Sequence, residues 1–346
     1  MASLILRMNE PRTIVVFGHR HLGDSLNSFP ALLAMRKRWP DARIINVAAP
    51  LPLSLLQNSS LSDLNIAHHK NWWGTWQAFL ALRREKPDVA LCLSGSRRVA
   101  FMARFCGASR RAGFFPNKHE WAYNIEVQRV GPPSVEHDLN MANVLGAPPV
   151  QNHTVGLLVP TESEREKANQ WLQNQGFEPQ KPLVGLNMGA SVARRQWGVE
   201  KFAEVAREIA KTGAHIVVFG GPNDLASIID LKARLQSPIG VAAGQFSPRE
   251  SAALLERCTL LVTGDTGPMH LAIAVNTPVV ALFGIVAAAY RLPAGFSHIG
   301  LEHNTECQAL PKARCRSEKS CACLDSITPK EVTDAVFQLL KAKSGA

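Results

Sequence analysis

Short apolar, β-branched runs punctuate this chain, and each is followed by a stretch with apolar positions at helical spacing. In the first half the runs are Thr13–Phe17, Arg43–Ala48 and Asp88–Leu93. In the second half they are Leu183–Asn187, His215–Phe219, Leu260–Thr263 and Pro278–Phe283. Near-continuous apolar strands suit a parallel sheet covered on both faces. Their alternation with helices predicts βαβ units in two sets. The expected fold class is therefore α/β, with two Rossmann-like, doubly wound lobes facing a cleft.

Capping signals mark several helix starts. Thr161 with Glu164, Ser247 with Glu250 and Thr328 with Glu331 each have capping-box spacing, and Gly176 is placed to stop the first of these helices. Pro148-Pro149 and Pro179 with Pro182 flank that helix. The predicted division is a first lobe over 1–160, a linker helix within 161–180, a second lobe over 181–326 and a last helix over 327–346.

With 346 residues and 46% apolar content, the chain is long enough for two cores and too apolar for a disordered or fibrous protein. The formal charge of +10 suits an anionic partner: nucleic acid, an acidic membrane surface or a phosphorylated substrate. No helix-turn-helix, zinc-finger or RNA-binding signature accompanies it, so nucleic acid is not expected. The start, with Leu4-Ile5-Leu6 followed by Arg7 and Glu10, lacks a secretory pattern. The longest stretch free of charged residues, Thr266–Tyr290, contains Asn276, Pro278 and Gly284 and reads as helix, turn and strand. A cytosolic protein, able to touch a membrane from that side, is the expectation.

Ligands of such sheets bind beyond the carboxyl ends of the strands. Three loops there carry chemistry. After Thr13–Phe17 comes Gly18-His19-Arg20-His21-Leu22-Gly23-Asp24, in which Asp24 is placed either to accept a proton from a hydroxyl or to cap the next helix. After Leu183–Asn187 come Gly189, Ser191, Arg194 and Arg195, a set suited to a diphosphate or to a solvated basic loop. After Leu260–Thr263 come Asp265, Thr266, Gly267, Pro268 and His270. Pro268 predicts a helix start, whose N–H groups and dipole attract phosphate, while His270 alone would suit the core. Cys307, Cys315, Cys321 and Cys323 cluster near the end without paired C-x-x-C spacing, so they are expected as reduced thiols or a structural cluster rather than a required metal site.

Asp265-Thr266-Gly267-Pro268-Met269-His270-Leu271, followed by Thr277-Pro278-Val279-Val280-Ala281-Leu282-Phe283-Gly284, closely resembles the signature of the heptosyltransferase family. Leu22-Gly23-Asp24, the block Gly185–Ser191 with Arg195-Gln196-Trp197, and the stretch from Ser96-Arg97-Arg98 to Phe114 resemble the same family in order. The resemblance implies a GT-B fold whose last helix returns to the first lobe. It implies inverting transfer of heptose from ADP-heptose to a phosphorylated, lipid-linked sugar of the lipopolysaccharide core, with no metal ion or other cofactor. Asp24 maps to the catalytic base. Asn187, Gly189, Ser191, Arg195, Asp265, Thr266, Gly267 and His270 map to the donor site, and His19, Arg20 and Arg98 are expected on the acceptor. One departure stands out: Phe283-Gly284 leads into Ile285-Val286-Ala287-Ala288-Ala289-Tyr290, where the family carries a Pro-Thr-Asp-Pro variant. Another nucleotide sugar, or a non-lipid acceptor, is the alternative. A non-catalytic binding protein is a third reading, which the presence of both Asp24 and Asp265 disfavours.

Overall fold

A computed structural model describes residues 10–131, 133–190, 195–284, 286–303 and 322–344. The chain divides into two units, Met1–Leu157 and Leu158–Ala346.

The first unit holds β1 (Thr13–Phe17), β2 (Arg43–Ala48), β3 (Leu64–Ala67), β4 (Val89–Cys92), β5 (Arg110–Phe115) and β6 (Ile125–Gln128). Their order in the sheet is β3-β2-β1-β4-β5-β6. All neighbours are parallel, with Ile14 in register with both Ile44 and Val89. The helices that matter here are α1 (Leu22–Asn27), α2 (Phe29–Arg38), α3 (Trp72–Arg84), α4 (Arg97–Phe105) and α5 (Val135–Val144).

The second unit repeats the plan with β7 (Leu183–Asn187), β8 (His215–Phe219), β9 (Gly240–Val241), β10 (Leu260–Gly264), β11 (Val279–Phe283) and β12 (Ile299–Glu302). These lie in the order β12-β11-β10-β7-β8-β9, which is the first unit's order read from the other edge. Helices α6 (Glu162–Asn174), α7 (Val199–Lys211), α8 (Pro248–Arg257), α9 (Gly267–Ala274) and α10 (Pro329–Ser344) belong to this unit.

The central strands form where the sequence is continuously apolar. Every residue of β1, β7 and β11 is buried. The expected strands are all present. The edge strands β3 and β12 went unread because they are only half-buried, so they carry no long apolar run. The core of the second unit comes from periodic faces. Phe202, Val205, Ala206 and Ile209 of α7 meet Val332, Val336 and Leu339 of α10, all buried.

Two helices near the predicted boundaries pack within the second unit. The helix α6, expected as a separate linker, is part of the second unit. Arg165 forks onto Glu256 of α8 at 2.7 and 3.0 Å, and the buried Arg249 of α8 donates to Glu164 at 2.7 Å. The last helix packs on α7 and on the second sheet, where its apolar stripe finds its cover. The three expected capping boxes are present, and Gly176 ends α6 with φ of +71°, a conformation that favours glycine.

Candidate active site

In both units the strand order reverses beside the first strand of the unit, and this is the point where sheets of this order bind ligands. In the first unit that point lies between β1 and β4. The loop after β1 carries His19, whose Nε2 lies 2.6 Å from the carboxylate of Asp138 on α5. Asp138 is buried and His19 is about one-fifth exposed. Burial alone would lower the His19 pKa. The Asp138 carboxylate, helped by Asp24 and opposed by Arg129, outweighs it and leaves the value raised. Nothing in the sequence around Asp138 marked it, since it reads as an ordinary first-turn acid of α5 and meets His19 only across 119 residues of chain.

Asp24 is half-buried in the first turn of α1. The N-cap position belongs to His21, whose side chain makes no cap bond. Asp24 therefore does not occupy the N-cap position, although a carboxylate in the first turn complements the helix dipole.

Arg20 is exposed, and Arg98 is the second residue of α4, whose start Ser96 caps at 3.3 Å. The Arg98 Nε is buried with no hydrogen-bond partner among the described residues. His68, just past β3, donates to or accepts from Thr75 Oγ1 at 3.1 Å. Burial, then the charges of Arg98 and Arg20, hold its pKa down. Arg20 and Arg98 are thus the cations acting on His68 at the carboxyl edge of this sheet, and they favour its neutral imidazole. His68 was missed because a lone histidine after an unread strand gives no signal.

In the second unit the reversal lies between β7 and β10. Asn187, the last residue of β7, is buried, and its Nδ2 donates to Thr263 Oγ1 at 3.1 Å and to Thr266 Oγ1 at 3.0 Å. The two hydroxyls are themselves 3.1 Å apart. Thr266 is the N-cap of α9, yet its side chain makes no cap bond. Its hydroxyl is held by Asn187 and Thr263, so the N–H groups of the first turn of α9 receive no bond from the cap side chain. The helix starts at Gly267, with Pro268 second. A helix start in this condition is suited to an anion.

Around this start stand the remaining charged groups. Asp265 lies 3.9 Å from the buried His270 Nε2 and 3.5 Å from Arg291 Nε. Arg291 follows the segment that departs from the family pattern, and that departure hid it from sequence reasoning. Arg195 is exposed, and its carbonyl lies 4.0 Å from where a side chain on Gly264 would begin. Trp197 anchors the end of that loop, buried, with its Nε1 donating to the Ile327 carbonyl at 3.0 Å. Gly189 was expected to admit a ligand to the backbone. The group that approaches it is the protein's own Asp224 carboxylate, which a side chain at 189 would strike. Asp224 in turn accepts from the Gly221 N–H at 2.8 Å.

Of the expected donor residues, the structure gathers Asn187, Thr266, Gly267, Asp265 and His270 at one strand edge, with the Arg195 backbone beside them. Ser191 and Arg194 lie outside the described residues, as do Cys307, Cys315 and Cys321. Cys323 is buried in the core of the second unit. Among the described residues no group of three His, Cys, Asp or Glu side chains could hold a metal ion. Among them, too, no helix is long and apolar enough to cross a membrane.

A family model, glycosyltransferase family 9 (heptosyltransferase), matches residues 75–320. The chain is 26% identical over 287 residues to lipopolysaccharide heptosyltransferase 2 of Escherichia coli K12, covering 78% of this chain and 82% of that one. A solved glycosyl transferase family 9 structure from Veillonella parvula superposes with a TM-score of 0.82 at 26% identity, over 96% of this chain and 97% of the other. The E. coli ADP-heptose lipopolysaccharide heptosyltransferase II superposes with a TM-score of 0.79 at 22% identity, over 96% and 99%.

Proposed function

The chain belongs to glycosyltransferase family 9, the heptosyltransferase family, and from that premise we propose that it moves heptose from ADP-heptose, with inversion, onto a phosphorylated, lipid-linked sugar of the lipopolysaccharide core. It is a glycosyltransferase of the GT-B class, built from two doubly wound units. The donor, the acceptor and the residue roles that follow belong to the proposal.

In this reading Asp24 takes the proton from the acceptor hydroxyl. The freed oxygen attacks the anomeric carbon as the bond to the diphosphate breaks, and ADP leaves carrying the negative charge. One displacement inverts the centre. The leaving charge falls on the first-turn N–H groups of α9 and on Arg195. A single donor aimed at developing charge contributes about 3 kcal/mol to such a step. His270 and Arg291 hold Asp265 and with it the shape of the loop. Arg20 and Arg98 form a cationic pair suited to the phosphates of the acceptor, with the His68 imidazole near them and His19 preceding Arg20 in the chain. The protein works from the cytoplasmic face of the membrane that carries this acceptor.

The observation that carries the reading is the Asn187–Thr263–Thr266 network, which withdraws the cap hydroxyl from α9 at the binding point of the second sheet. The test is transfer across a panel of nucleotide sugars, scored by acceptor mass and anomeric configuration. ADP-heptose should be turned over with inversion; retention of configuration, or no transfer from any ADP-sugar, would sink it. A different nucleotide sugar is the second reading, favoured by the departing segment and the Arg291–Asp265 contact it delivers. The same panel decides between the two.

A further inference from the structure

The solvent face of α3 is unlike that of any ordinary surface helix. Its buried positions are Gly74, Thr75, Ala78, Phe79 and Leu82. The opposite face carries Trp72, Trp73, Trp76 and Leu80, exposed by 55, 70, 45 and 43%. The helix contains no acidic residue and ends on Arg83 and Arg84. Such a face should be polar.

The patch continues onto the neighbouring helix. Trp72 meets Phe101 of α4 edge-on at 6.2 Å, and Phe101 meets Phe105 at 5.1 Å. Phe105 is itself 46% exposed. Cations flank the patch: Arg104 lies over the exposed Phe105 at 5.5 Å, and Arg83, at the helix end, lies over the ring of the buried Phe79 at 5.9 Å. Residues 68–106 carry seven Lys or Arg and two carboxylates, half of the chain's net charge of +10. Both carboxylates are engaged elsewhere. Glu85 pairs with Arg43 at 3.0 Å, and Asp88 accepts the N–H groups of Arg12 and Thr13.

A contiguous exposed apolar patch on a folded protein marks an interaction surface. Tryptophan combines an apolar body with a polar N–H and concentrates at the headgroup level of bilayers. Arginine beside it meets the phosphates. We propose that the face formed by α3 and α4 docks on the surface of a bilayer bearing anionic headgroups, with Trp72, Trp73 and Trp76 seated among the headgroups and Arg83, Arg84 and Arg104 on the lipid phosphates. Charge complementarity selects this occupant. A second copy of the chain would bring the same arginines face to face, and like charges oppose that contact. The proposal stands on this surface alone, and its test needs neither donor nor acceptor, so its failure leaves the proposed transfer reaction untouched.

The experiment is co-sedimentation of the full chain with vesicles of phosphatidylethanolamine and phosphatidylglycerol, and with pure phosphatidylcholine vesicles. Binding should be strong only with the anionic lipid and should fall as salt is raised. The triple variant Trp72→Ala/Trp73→Ala/Trp76→Ala should lower the partition coefficient by at least about tenfold. Arg83→Glu/Arg84→Glu should lower it similarly. Trp73→Glu, at the most exposed of these positions, serves as a second variant if the triple fails to fold by circular dichroism. Vesicle binding that the folded variants retain overturns the proposal. So does wild-type protein that stays in the supernatant at low salt. Sedimentation velocity without lipid completes the test: a wild-type dimer that the triple variant converts to monomer would assign the face to a second copy instead.

Discussion

The two units share one strand order and differ in what they place at its reversal. The first presents ionisable groups: Asp24, the His19–Asp138 pair, and the Arg20 and Arg98 cations around His68. The second presents a neutral lattice of one amide and two hydroxyls, with a helix start and a ring of charges outside it. In the proposed reaction the same scaffold serves a proton acceptor in one place and an anion cradle in the other. What differs is the helix that follows the critical strand. In the first unit α1 has only six residues and carries a carboxylate in its first turn, so its dipole is already complemented. In the second, α9 opens on Gly267-Pro268 with no acidic residue in its first turn.

The largest effect expected from breaking this contrast is at Asp24. Asp24→Asn should lower turnover by on the order of 100-fold or more, typical of a lost general base, while ADP affinity stays as in wild type. Single-turnover transfer together with ADP calorimetry checks it. Near-normal turnover would return Asp24 to a structural role in α1.

Arg195→Ala should act in the opposite sense, on the anion site alone. Loss of one charge-assisted hydrogen bond to phosphate is worth ~1.5–3 kcal/mol, so ADP binding should weaken roughly 10- to 150-fold. Calorimetry with ADP alone measures this. Unchanged affinity would place the diphosphate elsewhere in the second unit.

Asn187→Ala tests the neutral lattice. It removes the donor shared by Thr263 and Thr266 in a buried setting, and a buried polar group left unpaired costs ~1–3 kcal/mol. Chemical denaturation should show that loss even without ligand. An unchanged midpoint would mean that the hydroxyls satisfy each other and that the amide adds nothing.

The smallest effect concerns pH. The folded His19 pKa is raised above its ordinary 6.5, so the pair with Asp138 adds stability that is fully present below 6.5. That stability is lost as pH rises through the folded value. Asp138→Asn should therefore flatten the decline in denaturation midpoint between mildly acidic and alkaline buffer. A decline as steep as that of wild type would show that Asp138 does not hold the charge on His19.

Much of this was legible in the residues. The buried central strands announce themselves because a strand covered on both faces has no polar positions to interrupt it. Capping boxes and the helix start at Pro268 are local, within four residues, and so are written in the sequence directly. The strands β3, β5, β6, β9 and β12 were not, because each is only partly buried or very short and keeps a mixed pattern. Asp138, Arg291 and Asp224 were hidden for another reason. Each acts on a residue far along the chain, and no spacing rule connects His19 to Asp138 or Gly189 to Asp224.

The amino-acid order by itself therefore determined seven of the twelve described strands, the capped helix starts, the family signature and the loops at which chemistry is placed, since each depends on neighbours within a turn or a strand. Only the tertiary structure decided which of two options a residue takes. It gave the N-cap of α1 to His21 and not to Asp24, turned the Thr266 hydroxyl from its helix toward Asn187, and seated α10 on the second sheet. These are outcomes of competition between partners brought together by folding, where burial and hydrogen-bond satisfaction across the chain outweigh local preference.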